Sequence, residues 1–313
     1  MLYKLMLAIL LSMSSLIAMQ DAEIGTQKNI DEFISVISIS QPCSGSVAFL
    51  RMMRARKDFF ISHEPGVYAW RMANHPEEVD KDGYEQQLEH FDDVREFINS
   101  LLLKNQNNFI KEESYAAEHY VENSDFIRSR HMYSVFLIRD PHAVLLSVYQ
   151  KMKRVPKAVV NYEKMWELYN NIKSSSKNEP YIICFEDLMQ HPKPIVKKFC
   201  EYINVPFIKE SLKWEDLSNN FEDNITWHDT PFARFDKNWH GNALGSTRFI
   251  KVEKNYAVDD NKKPTFEEIQ EQLRSGFIEF YDEMMPFYEL FLEEYRMQQI
   301  KNLKSHKNNS LQF

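Results

Sequence analysis

Cysteine and glycine are scarce in this chain, and a basic excess is missing. Three cysteines in 313 residues (Cys43, Cys184, Cys200) are too few for a disulfide framework. No C-x-x-C spacing points to zinc, and no metal ion is expected. All three thiols lie in or beside apolar stretches, where cysteine acts as a small buried residue. Acidic residues outnumber basic ones by 46 to 38, a formal charge of −8. A general nucleic-acid coat needs a basic face, so no nucleic-acid partner is expected. A small anion held by a few local donors is compatible with that balance. Only seven glycines occur, so a glycine inside a loop motif stands out. There is no internal repeat. The rest is ordinary globular composition, 43% apolar and 27% charged, with 13% aromatic residues to line ring-stacking surfaces. A chain of this length buries roughly 75% of its unfolded surface, enough for one large core.

Residues 1–20 form a class apart. Lys4 precedes an uncharged run over residues 5–19, and Asp21 opens a polar stretch. A positive start followed by an apolar run is the order of a secretory signal. Ala18 has Leu16 two residues earlier, where a small residue normally marks cleavage. An uncleaved anchor is the other reading, although the run is short of the ~20 residues that span a bilayer. Residues 1–20 are set apart as signal peptide or membrane anchor. The protein is expected to be secreted or membrane-anchored.

Beyond that segment the pattern alternates. Residues 33–39 are β-branched and aromatic and read as a buried strand. The strand ends at the turn-rich Gln41-Pro42-Cys43-Ser44-Gly45-Ser46, and residues 47–54 have helical character. Strand, short glycine-containing loop and helix together aim main-chain N–H groups and the positive helix end at an anion. Residues 57–63 read as a second strand, stopped by Glu64-Pro65-Gly66. Residues 74–130 are polar, acidic and mostly helical in pattern, with Phe91, Val94, Phe97, Ile98 and Leu101 at spacings of three and four. A third strand over 133–138 runs into Arg139-Asp140-Pro141 and a helix over 142–152. A helix over 162–172 leads to a fourth strand at 180–185, and 194–203 is helical again. Residues 211–262 are irregular. A long helical region starts at Thr265, and Pro286 inside it predicts two helices or a kink. The polar tail over 301–313 is expected to be flexible. Strands alternating with helices define an α/β class with a mostly parallel central sheet flanked by helices.

The loop lacks the lysine after a second glycine that GxxxxGK[ST] requires, which disfavours a P-loop kinase. Arg139 stands at the end of the third strand, and Ser147 follows eight residues later inside a helix. A forked guanidinium and a hydroxyl two turns along can converge on one phosphate. Ligands of open α/β sheets sit at the carboxyl ends of strands, where these groups lie.

On these residues the chain resembles the sulfotransferase family, in particular its bacterial and Golgi-type branch. Pro42-Cys43-Ser44-Gly45-Ser46 is similar to the family's PKSGT or PRSGS loop, and Arg139, Pro141 and Ser147 match RxPxxxxxS. Phe185-Glu186-Asp187-Leu188, Pro192, Tyr202-Ile203 and Pro206-Phe207 echo a third segment, and MMPFYELFLEEYR is similar to the closing helices. The matches run in order from about residue 33 to 295, within a sulfotransferase-like domain over 29–300. The resemblance implies a P-loop-like three-layer fold. It further implies transfer of a sulfuryl group from 3′-phosphoadenosine 5′-phosphosulfate (PAPS), without a metal. The acceptor would be a hydroxyl or amine on a carbohydrate, peptide or small molecule. Pro42, Cys43, Ser44, Gly45, Ser46 and Val47 would hold the 5′ end of the donor, and Arg139 and Ser147 the 3′-phosphate. Ser246, Thr247 and Arg248 would close over it, with Trp239 as a stacking candidate. Glu64 is the implied base, and His63 the second choice. One position departs from the pattern. Cys43 stands where the family places Lys or Arg, and losing one preorganised donor costs on the order of 10²–10³ in rate. Arg51, Arg54 or Arg248 are candidates to replace it. The alternative is a catalytically impaired nucleotide-binding protein on the same fold.

Overall fold

The computed structural model describes residues 33–76, 88–122, 124–152, 154–217, 229, 240, 243–249 and 276–310, with side chains over 280–301 in the last stretch. Contacts set Met1–Phe33 apart from a unit Ile34–Phe313, to which everything below refers. The strands are β1 (Ser35–Ser40), β2 (Phe59–His63), β3 (Asn107–Glu113), β4 (Met132–Ile138) and β5 (Tyr181–Cys184). The helices are α1 (Ser46–Ala55), α2 (Pro65–Asn74), α3 (Phe91–Leu102), α4 (Ser114–Val121), α5 (Pro141–Met152), α6 (Tyr162–Ser175), α7 (Phe185–Gln190), α8 (Pro192–Tyr202) and α9 (Gly276–Ser310).

All four strand pairings are parallel, in the order β2-β3-β1-β4-β5. Parallel strands need crossovers and so bury both faces of the sheet. β1 shows this directly, since every one of its residues is buried. Alternation along the strands separates two cores. Val36, Phe109, Val135 and Leu137 pack with Phe49, Leu50 and Met53 of α1 and Val196 and Phe199 of α8. Ile37, Ile39, Ile110, Phe136 and Ile138 pack on the other face against α3, α4, α5, α6 and α9. The result is the helix–sheet–helix layering of a P-loop-like α/β fold.

The expected strands and the helices at 91–101, 142–152, 162–172 and 194–203 are present within a few residues. Two expectations are corrected. The stretch 74–130 contains β3, a strand lying between β2 and β1. Its second half, Lys111-Glu112-Glu113, reads as helix surface in sequence, yet all three residues are buried. The charges pair with one another and with partners on other elements, so the strand has no apolar alternation to betray it. The second correction concerns the two-helix alternative at Pro286, which lies inside one continuous helix. A single lost main-chain bond is outweighed there by Phe280, Met284, Tyr288, Phe291 and Tyr295, which are buried along α9. Thr265 and Trp239 lie outside the described residues, as do residues 1–20. Among the described residues no helix is long and apolar enough to cross a membrane.

Candidate anion site and active site

The carboxyl ends of the strands share one edge of the sheet, because β1, β3 and β4 run in register: Ser40 lies beside Glu113 and beside Leu137. Chain connections leave β1 toward β2 on one side and reach β4 on the other, the kind of switch point where open sheets bind ligands. The loop after β1 occupies it. Cys43 and Gly45 both adopt left-handed conformations, with φ of 62° and 82°. Gly45 is also the N-cap of α1, a place Ser44 does not take. A Cβ on Gly45 would lie 2.2 Å from Cε2 of Phe185, so only glycine allows that ring to close on the loop. Gln41 holds the entry to the loop. Its amide donates to the Asn161 carbonyl at 2.8 Å and accepts from the Asn161 N–H at 3.0 Å.

Arg139 arrives at the same place from β4. Its Nη1 donates to the Cys43 carbonyl at 2.5 Å, and its guanidinium carbon lies 4.6 Å from the centre of the Phe185 ring. Tyr162 donates its hydroxyl to the Arg139 carbonyl. Glu186 accepts from the Asp140 N–H at 3.1 Å, which fixes the turn after Arg139. The first loop and the RxPxxxxxS segment thus meet through a direct bond. Ser147 lies on the second turn of α5 and is buried. The Ser38, Ser40 and Ser44 hydroxyls and the Arg139 Nε are buried without a protein partner among the described residues. Buried polar groups are nearly always satisfied in a working protein. This run of donors therefore fits a polar, anionic ligand at the loop.

A charged cluster stands beside that loop. Lys111 of β3 is buried and donates to Glu64, the residue after β2, and to Glu113 at the end of its own strand. Alternation puts Lys111 and Glu113 on the face that carries Ser38 and Ser40. Glu64 takes a left-handed conformation with φ 48°, and its Oε1 lies 3.3 Å from His63 Nε2. Burial pushes the Glu64 carboxyl up, but the positive charge of His63, Lys111 and His240 outweighs it and holds the group well below the usual carboxylate range. Burial also drives Glu113 up, and Lys111 only partly opposes this, leaving it at about 7. For Lys111 burial favours the neutral amine, yet the two carboxylates prevail and raise its value. On the opposite face Glu112 is pushed up to about 8, chiefly by burial. It accepts from the Gly66 N–H at 2.6 Å and the Tyr120 hydroxyl at 2.9 Å.

Glu64 and His63 are therefore at the expected edge, and the structure adds Lys111 and Glu113, which sequence reading missed. The signal available was a Lys-Glu-Glu run directly after the apolar pair Phe109-Ile110. His63, Glu64 and His240 bring donor atoms within 4.8 Å of one another, the one trio among the described residues with metal-ligand chemistry. The Lys111 ammonium on the Glu64 carboxylate already balances its charge.

Of the candidates for replacing the loop cation, Arg51 and Arg54 are engaged with partners of their own. Arg51 donates to the carbonyls of Ala243 (2.6 Å), Leu244 (2.7 Å), Ser246 (3.0 Å) and Glu215. It fastens the late segment onto α1. Arg54 pairs with Asp229 at 2.8 Å. Ser246 directs its hydroxyl to the Ala243 carbonyl at 2.6 Å and accepts from the Trp214 indole at 3.3 Å. Thr247 and Arg248 are exposed, and Arg248 forms an isolated antiparallel bridge with Lys213.

No protein-family model matches the chain, and no curated protein does. Among solved structures it is similar to the sulfotransferase domain of the Synechococcus PCC 7002 olefin synthase, at 14% identity and a TM-score of 0.43, covering 70% of this chain and 95% of that one. It is similar to the sulfotransferase domain of the curacin biosynthetic pathway, at 15% identity and a TM-score of 0.40, covering 77% and 96%. Mouse sulfotransferase SULT7A1, complexed with PAP, is similar at 12% identity and a TM-score of 0.44, covering 83% and 91%. All three of these neighbours are sulfotransferases.

Proposed function

We propose that the protein is a sulfotransferase that moves a sulfuryl group from PAPS to a hydroxyl or amine of a carbohydrate, peptide or small molecule. The observation that carries this reading is the bond from Arg139 Nη1 to the Cys43 carbonyl, which joins the two anion-binding motifs in one site. The main-chain N–H groups at the start of α1 and the Ser44 hydroxyl suit the 5′ end of the donor. Arg139 and Ser147 suit its 3′ end.

Sulfuryl transfer is an in-line displacement in which positioning and charge stabilisation dominate. The acceptor oxygen or nitrogen forms a bond to sulfur as the bond from sulfur to the bridging oxygen breaks. The acceptor proton goes to a base, and Glu113 has the basicity that a base working near neutral pH needs. Glu64 is too strongly held as a carboxylate for that task and instead anchors Lys111. Charge on the departing oxygen at the 5′ end falls to Lys111 and the α1 N-terminus. The apolar segment 5–19 would carry the enzyme into the secretory pathway or hold it at a membrane.

Calorimetry with 3′-phosphoadenosine 5′-phosphate (PAP) tests the reading. Binding is expected, and Arg139→Ala should weaken it by about tenfold or more, the loss of a charge-assisted contact of ~1.5–3 kcal/mol. Absence of binding at millimolar nucleotide would refute it. Cys43 favours a second reading, a nucleotide-binding protein without turnover. Radiolabelled donor with a mixed acceptor library separates the two, since transfer by the wild type excludes the second. Gain of transfer only in Cys43→Lys would establish it.

A further inference from the structure

Three thiols differ sharply in their surroundings. Cys200 is buried in the core beside Arg56, whose Nη1 lies 3.4 Å from its sulfur. Cys184 is buried at the end of β5 with its sulfur 3.2 Å from Glu186 Oε2. Burial pushes the Cys184 thiol up to about 12 and raises that of Cys200 as well, so both are poor nucleophiles at neutral pH. Cys43 is only half-buried, and it lies in the anion loop itself.

The residues around Cys43 have unmet donor capacity. Arg139 is 8% exposed, reaches the Cys43 carbonyl with Nη1, and keeps a buried Nε–H without a protein partner among the described residues. The adjoining Ser44 is fully buried, and its hydroxyl likewise has no protein partner among the described residues. Both fit a ligand with acceptor oxygens at the loop that carries the thiol. The N-terminus of α1 adds a positive field two residues away. That field attracts anionic reagents as well as anionic ligands.

We propose that Cys43 is a covalent modification site for small anionic disulfides, and that an adduct on its sulfur and an anion in the loop exclude one another. The inference rests on the reading of the loop as an anion site, and it concerns a thiol that reading does not use. In the reaction, the Cys43 thiolate attacks one sulfur of a low-molecular-weight disulfide such as oxidised glutathione. A new S–S bond forms, the reagent's own S–S bond breaks, and the second glutathione leaves as thiolate with the electron pair. The Cys43 proton passes to solvent. A thiol reductant reverses the exchange.

Brief exposure of the native full chain to iodoacetamide, mapped by mass spectrometry, should label Cys43 ahead of Cys184 and Cys200. PAP or inorganic pyrophosphate at ten times its Kd should slow that labelling about tenfold, since only the open fraction reacts. Treatment with oxidised glutathione should abolish PAP binding in calorimetry, and dithiothreitol should restore it. Cys43→Ser, whatever its own affinity, should bind PAP equally before and after treatment. Labelling of Cys43 no faster than of the two buried thiols overturns the proposal. So does a glutathione adduct on Cys43 that leaves PAP affinity unchanged. Binding of PAP without protection of Cys43 overturns it while leaving the proposed function standing. If the untreated protein binds no PAP, that function fails, and the labelling order with pyrophosphate protection still decides the fate of Cys43.

Discussion

Lys111 serves Glu64 and Glu113 at once, and the asymmetry between these carboxylates sets what each can do. Glu64 also faces His63 and His240, so it stays ionised, whereas Glu113 is left near 7. For a base, activity requires the deprotonated form. The rate should climb as pH rises through about 7 and level off above it. Glu113→Gln should lower kcat/KM by on the order of 10²–10⁴ and remove that limb. Glu64→Gln should move the limb to lower pH, because the Glu64 charge raises Glu113 and competes for Lys111. An unmoved limb in either variant would assign the base elsewhere. The sequence put Glu64 and His63 at a strand end. It could not rank the two carboxylates, because the ranking depends on a lysine 47 positions from Glu64 in the chain.

At the level of elements, the loop and the two strands beside it carry the site. Gly45 has two independent reasons to lack a side chain, its positive φ and the Phe185 ring. Gly45→Ala should lower stability in urea by at least ~1–2 kcal/mol from the left-handed conformation alone. In a Phe185→Ala background the penalty should shrink toward that value, because the overlap term is gone. An equal cost in both backgrounds would mean the ring is not what excludes Cβ.

Glu112 joins β3 to the start of α2 through the Gly66 N–H. Its value rises from 4.5 to about 8 on folding, so the native state holds an extra proton across that window. The stability from this group is present in full below pH 4.5 and is lost as pH climbs toward 8. The slope is about 1.4 kcal/mol per pH unit at most. Glu112→Gln should flatten the pH dependence of the denaturant midpoint by about one proton, and an unchanged slope would rule Glu112 out. β1, β2, β4 and β5 were legible as strands because their interior positions are apolar. β3 was not, since its second half hides Lys111 paired with Glu113 and Glu64 on one face and Glu112 held by the Gly66 N–H and the Tyr120 hydroxyl on the other.

Across the whole molecule, one outward-facing residue on each edge strand of the sheet has its main-chain groups answered by a described residue outside the sheet. At β5 the Gln298 side chain accepts from the Ile182 N–H and donates to the Ile182 carbonyl, both at 3.0 Å. At β2 Asp229 takes the corresponding part with Ile61, donating from its main chain at 2.7 Å and accepting at 2.8 Å. Open edges invite pairing with other chains, so these two residues also guard against association. Tyr295 donates to Asp187 at 2.7 Å and draws α9 onto α7, which gives Asp187 of the third motif a structural task. Gln298→Ala leaves two edge groups of Ile182 unanswered. It should cost ~1–3 kcal/mol in urea unfolding and raise aggregation on concentration. Wild-type stability and solubility in that variant would show that water replaces the amide without loss.

The sequence by itself determined the features that are contiguous along the chain: a strand running into a glycine turn and a helix, an arginine ending another strand, and the alternation that makes the sheet parallel. These need only local propensity and spacing. Tertiary structure alone decided that Arg51 is bound to the late segment, that Arg139 touches the Cys43 carbonyl, and that Glu113 rather than Glu64 keeps a titratable proton near neutrality. Each depends on burial and on charges brought together from distant elements, which spacing along the chain does not encode.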